Sequence, residues 1–202
     1  KVGESEARGV LDVVSKGKFA YVGGSKTDTN AYLVKEGAFK LLQPLIDKGD
    51  IELVYNEFTE DWKQEIAYAN IKQFLASGGT VDAVVAANDG TAAGVIRALE
   101  EKGLAGKVPV SGQDASLAAV QFVASGKQTV TVYKPIKALA YKSAEVAVAV
   151  IRGDNVVTNN TIENGTARTP AYLLDVVSVT KDTIDGTVIK DGFRTREEVY
   201  GE

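Results

Sequence analysis

The feature that most constrains this chain is an alternation, sustained as far as Tyr133, of helix-spaced stretches with short runs of apolar residues. Ala7, Val10, Leu11 and Val14 recur at the spacing of a helix face, Gly17 breaks the pattern, and Phe19-Ala20-Tyr21-Val22 comes next as a compact apolar run. The step repeats with Leu33, Phe39, Leu42 and Ile46 ahead of Ile51 to Tyr55. It repeats again with Ile66, Ala69, Ile71, Phe74 and Leu75 ahead of Ala83 to Ala87. Two shorter rounds take Ala92 to Leu99 into Val108-Pro109-Val110, and Ser116 to Ala124 into Thr129 to Tyr133. Strands that are apolar at every position must be covered on both faces, so the pattern predicts an α/β fold with a parallel sheet sandwiched by helices.

The regularity stops after a sixth, Ala- and Val-rich helix over Ile136 to Arg152. A polar stretch from Asn155 to Thr169 reads as a long loop, Tyr172 to Val179 as a further strand, and the charged remainder as a surface tail with turns at Asp185-Gly186 and Asp191-Gly192. With 45% hydrophobic residues in 202, the chain can bury a sizeable core. It holds no cysteine, histidine or methionine, which removes disulfides, thiol nucleophiles, imidazole acid–base chemistry and the usual zinc ligands. A net charge of −4 offers no general field for phosphate backbones, so nucleic acid is not expected as a partner. No stretch approaches the ~18 to 20 apolar residues of a membrane helix, and the opening Lys1-Val2-Gly3-Glu4 is not a leader; the reading is a soluble, processed chain.

In an open parallel α/β sheet, ligands bind beyond the carboxyl ends of the strands. There the sequence delivers Asp28 and Asn30, then Trp62, then Asn88 and Asp89, then Gln113 and Asp114, and finally Lys134. Planar acceptors and donors suit vicinal hydroxyls, and an indole suits the C–H face of a sugar ring. Taken singly, each Asp or Asn is also an ordinary helix cap or turn former, the tryptophan a core residue, and Lys134 an exposed lysine. Their convergence on one rim makes the case. Gly23-Gly24-Ser25-Lys26-Thr27 lacks the glycine spacing of a phosphate loop, and Asp182 to Gly186 lacks the ligand spacing of a calcium loop. Neither a cofactor nor a metal is expected.

The blocks Gly23-Gly24-Ser25 through Asn30-Ala31, Asp82 to Ala86 with Asn88-Asp89, Ser111-Gly112-Gln113-Asp114-Ala115, Thr131-Val132-Tyr133-Lys134-Pro135 and Val188 to Phe193 together resemble the D-xylose-binding family of ABC-transporter solute-binding proteins. That resemblance implies a Rossmann-like lobe of the type I periplasmic-binding-protein class, and a protein that is not an enzyme. It implies that Asn30, Asn88, Asp114 and Lys134 hydrogen-bond the sugar, with Asp28 close by and Trp62 lining the pocket. It assigns residues 1–134 to the C-terminal sugar-binding lobe, 135–171 to a helix and loop belonging with an N-terminal lobe that is missing here, and 172–202 to a strand returning through the hinge and the tail. Implied partners are a monosaccharide, D-xylose first, the missing lobe, and an ABC permease or a sensor kinase, in the periplasm or another extracytoplasmic space. The effector core of a LacI-type repressor shares the fold and is the rival reading; an enzyme using Lys134 or Asp114 is a second.

Overall fold

The computed structural model describes residues 1–201, and these divide into two compact units: Lys1–Tyr133 with Val177 onward, and Lys134–Val176. In the first unit, helix α1 (Val2–Leu11) leads to strand β1 (Gly17–Val22), α2 (Thr29–Asp47) to β2 (Ile51–Glu57), and α3 (Gln64–Ala76) to β3 (Ala83–Ala86). The three strands are parallel in the order β2-β1-β3. Successive side chains of a strand point to opposite faces, and here both sets are apolar. Phe19, Tyr21, Ala83 and Val85 pack under α1 and α2 with Ala7, Val10, Val34 and Leu42. Ala20, Val22, Val84 and Ala86 pack under α3 and α4 (Asp89–Glu100) with Ile71, Leu75, Val95, Ile96 and Leu99. Two helical layers thus cover one sheet, as the apolar runs predict. Gly94 lets α3 and α4 close together: a Cβ there would stand 2.4 Å from the Gln64 carbonyl oxygen.

Beyond β3 the structure departs from expectation. Val108 to Val110 is not a regular strand; it makes an isolated parallel bridge, Val84 to Val110, and Gln113 makes another to Val132. Pro109 has no N–H to give, though its carbonyl accepts from Val84 N at 2.9 Å, and the Ser111 hydroxyl replaces ladder partners by bonding both N and O of Ala86. These bridges carry the parallel order to β4, which covers Thr131–Tyr133 and comes after α5 (Leu117–Ala124).

The unit closes with β7 (Val177–Val179), paired antiparallel to β4 with Tyr133 opposite Val177. Tyr172 to Val176 is not part of that strand. The tail is not wholly superficial either: Ile184, Val188 and Val199 are buried in a third core with Ala115, Val120, Val123, Tyr133 and Val179. A π-helical turn (Asp185–Ile189) and α7 (Arg196–Tyr200) place Val188 and Val199 against α5 and β4. Charge along the tail masks these apolar positions, because only one side of each short turn faces inward.

In the second unit, α6 spans Ile136–Arg152 and ends at Gly153, whose left-handed backbone (φ 72°) returns its N–H to the Val150 carbonyl. The polar stretch expected as a loop contains a hairpin, β5 (Asn160–Glu163) with β6 (Arg168–Ala171). Its residues are nearly all exposed, so no inward apolar alternation marks it in the sequence.

Candidate functional site

The carboxyl ends of β1, β2 and β3 lie side by side, because Val22 stands opposite both Glu57 and Ala86. The segments leaving the three strands therefore meet at one rim. After β1, Asp28 caps α2: its Oδ1 accepts from Asn30 N at 2.8 Å, while its Oδ2 accepts from the Trp62 indole Nε1 at 3.1 Å. One carboxylate thus fixes both a helix start and the orientation of the indole. The loop after β2 is tied down by Thr59 N, which donates to the carbonyls of Gly23 and Gly24 at 3.1 and 2.9 Å. Trp62 lies flat against Gly24, where any Cβ would stand 2.2 Å from the ring. The ring is half-buried, which leaves part of its surface to the rim.

Asn88, after β3, caps α4 with Oδ1 accepting from Thr91 N at 2.8 Å; the cap fixes the side chain's orientation, and its Nδ2 is the group that can donate. The Asn88 amide and the Trp62 carbonyl both come within 3.5 Å of where a Cβ on Gly90 would stand. Asp28, Trp62 and Asn88 are therefore drawn together, with Asn30 exposed on the first turn of α2.

Asp89 accepts three hydrogen bonds. It is buried; Oδ1 accepts from Thr131 Oγ1 at 2.8 Å and Gln128 Nε2 at 3.1 Å, and Oδ2 from Ser116 N at 2.8 Å. Burial pushes its carboxyl up to about 6 against the pull of those donors, and the charge of nearby Asp114 adds to the rise. Its own N–H donates to the Gln113 carbonyl at 3.0 Å, stitching the start of α4 to the loop that carries Asp114. Gly112 makes room for this: a Cβ would fall 2.4 Å from Asp89 Oδ1. Gln113 itself turns inward, its Nε2 donating to the Ala87 carbonyl at 2.7 Å. Asp114 is exposed at the rim, and Lys134 is exposed as the first residue of the second unit.

Among the described residues, the non-glycine positions with positive φ are Asp61, Trp62, Asp114 and Ala115, at 48°, 58°, 99° and 47°. All four sit in the two rim loops. Such backbone costs on the order of 1 kcal/mol or more per residue and persists where the surroundings over-determine it, a pattern that gathers at ligand sites. The sequence shows no sign of this strain, nor of the partners that impose it: Thr131, Gln128 and Arg194, whose guanidinium bonds the Ala115 carbonyl.

A parallel α/β lobe with a polar, strained rim at the strand ends is the architecture of a ligand-binding lobe, and comparison places it: the chain belongs to the periplasmic binding protein domain family, which matches residues 1–155. It is 46% identical to the D-xylose-binding periplasmic protein of Haemophilus influenzae over 201 residues, and 44% identical to that of Escherichia coli over 200. Those matches take in 99% and 98% of this chain but 60% and 61% of the relatives, so the chain spans about three-fifths of their length. Among solved structures, an ABC-transporter solute-binding protein of Clostridium phytofermentans with bound β-D-glucose superposes with a TM-score of 0.86 at 26% identity. The match covers 98% of this chain and 67% of that one.

Proposed function

We propose that this chain supplies one lobe of a two-lobe monosaccharide receptor, with D-xylose as the preferred sugar, which presents its ligand to an ABC permease outside the cytoplasm. The observation that carries the reading is the convergence of Asp28, Trp62, Asn88 and Asp114 on a single strand-end rim. The D-xylose-binding relatives from Haemophilus influenzae and Escherichia coli support the choice of sugar. In this scheme Asn88 Nδ2 donates to one hydroxyl, the Asp114 carboxylate accepts from two, Asn30 and Lys134 complete the set, and the indole of Trp62 covers the C–H face. Asp28 serves mainly to hold the indole. Residues 135–171 pack with the first lobe, and the chain from 172 returns across the hinge. The protein binds and releases its ligand unchanged; closing two lobes around the sugar removes it from water and creates the form the permease reads.

Calorimetric titration of D-xylose and D-ribose into the chain alone, and into the chain together with the first lobe, tests this. Tight binding of xylose only with both lobes, lost in Asp114→Ala, is the expected result. Equal affinity without the first lobe, or no sugar binding with it, overturns the proposal.

A further inference from the structure

We infer that Arg194, far along the chain from every residue of the rim, is a positioning residue that sets sugar affinity by holding the Asp114 loop in its strained geometry. The inference rests on the sugar-binding reading of the rim. The loop is pinned on three sides by groups of its own neighbourhood: Asp114 N donates to the Val132 carbonyl at 2.9 Å, Ala115 N to Thr131 Oγ1 at 3.1 Å, and Ser116 N to Asp89 Oδ2 at 2.8 Å. The fourth pin comes from the tail. Arg194 Nε and Nη2 both donate to the Ala115 carbonyl, at 3.1 and 2.9 Å. Two charge-assisted bonds to one buried carbonyl orient the peptide between the consecutive left-handed residues and Ser116.

Arg194 is itself held ready for this task. Its guanidinium lies 4.3 Å from the centre of the Phe193 ring, Phe193 packs on Tyr133 at 4.8 Å between centroids, and the Tyr133 hydroxyl donates to Asp191. Both guanidinium bonds end on a backbone atom of the loop, one residue beyond Asp114. The effect of Arg194 on a ligand therefore passes through the direction in which Asp114 is presented. Without it the loop can relax toward ordinary backbone angles, and Asp114 must be re-ordered each time a sugar binds.

The test uses Arg194→Met, which keeps an apolar stem of similar length but no donor, and Arg194→Lys, which restores one. In the chain alone, Arg194→Met should speed amide hydrogen exchange at Asp114 and Ala115 while leaving Tyr21 and Val85 in the sheet unchanged, with Arg194→Lys intermediate. With the first lobe present, Arg194→Met should weaken D-xylose binding roughly ten- to hundredfold. In an Asp114→Asn background the same change should add less than about twofold, because coupled residues do not lose affinity additively. Unchanged exchange at Asp114 and Ala115, or additive losses in the double variant, overturns the inference. If the unsubstituted protein binds no xylose, the functional reading fails instead, and exchange still decides whether Arg194 holds the loop.

Discussion

The two units of this chain contain helices of similar amphipathicity and treat them in opposite ways. In the unit built on β1, β2 and β3, α4 buries eight of its twelve residues, among them Val95, Ile96 and Leu99. In the segment Lys134–Val176, α6 places Ile136, Leu139, Ala140, Ser143, Ala147, Val150 and Ile151 along one stripe, and none of its residues is buried. Ile151 is 84% exposed and Val150 64%. A helix and its burial therefore have separate causes. Alanine-rich sequence and a Gly153 stop suffice to define α6. Covering its stripe takes an apolar surface packed against it, which sequence local to the helix does not provide.

A matched pair of substitutions puts this contrast at risk, and the larger effect falls in the first unit. Ile96→Ala, at a position with no exposure, should cost about 2–5 kcal/mol by loss of transfer energy and a residual cavity. Chemical denaturation of the chain reads it, and a cost under about 1 kcal/mol would mean that the α4 layer repacks freely. Next in size is the buried acid at the rim. Because burial raises Asp89 from 3.8 to about 6, the folded chain keeps a proton there that the unfolded chain has already lost. Its contribution to stability is thus complete below about pH 4 and is lost as pH rises through about 6. At roughly 1.4 kcal/mol for each pH unit between the two values, the change is on the order of 2–3 kcal/mol. Denaturation at stepped pH should show this decline, and Asp89→Asn should flatten it; an unaltered slope in that variant would assign the decline to another group.

Much of the first unit is legible in the sequence, because strands such as Phe19 to Val22 and Ala83 to Ala86 are apolar on both faces and admit one arrangement. The rim is legible for the same reason: the strand-end rule picks out Asp28, Trp62 and Asn88 without knowing their partners. It does not distinguish Asp114, which faces outward, from Gln113, whose amide is consumed by the Ala87 carbonyl. Neither does it reach Arg194, since nothing local to Phe193-Arg194-Thr195 announces a carbonyl some eighty residues upstream. The second unit is legible only as α6. Its hairpin escapes because Asn160 to Glu163 and Arg168 to Ala171 face solvent on both sides and carry no inward pattern.

A sharper separation of the two units comes from excision. Tyr133 stands opposite Val177 across the antiparallel β4–β7 pair, so an Asn-Gly turn can replace Lys134–Val176 without altering register. Each halving of loop length relieves about 0.6 kcal/mol of closure entropy, and the gain should total up to roughly 2.5 kcal/mol, with cooperative unfolding retained. A loss of more than about 1 kcal/mol on denaturation would show that the excised segment supports the body it interrupts.

The smallest effect in the chain alone is expected at Ile151, the counterpart of Ile96, and its sign is the informative part. At 84% exposure the side chain has little burial to lose, whereas alanine is the better helix former by a few tenths of a kcal/mol. Ile151→Ala in the chain alone should therefore leave the helicity of α6 unchanged or raise it slightly, read by amide exchange along Val146 to Ile151. With the first lobe added, the same substitution should become costly, about 1–3 kcal/mol in the affinity between the two parts, if the stripe docks on that lobe and buries the side chain. A sign that stays the same in both settings would mean that α6 stays exposed when the two parts are together, and that its stripe serves some contact other than a join between them.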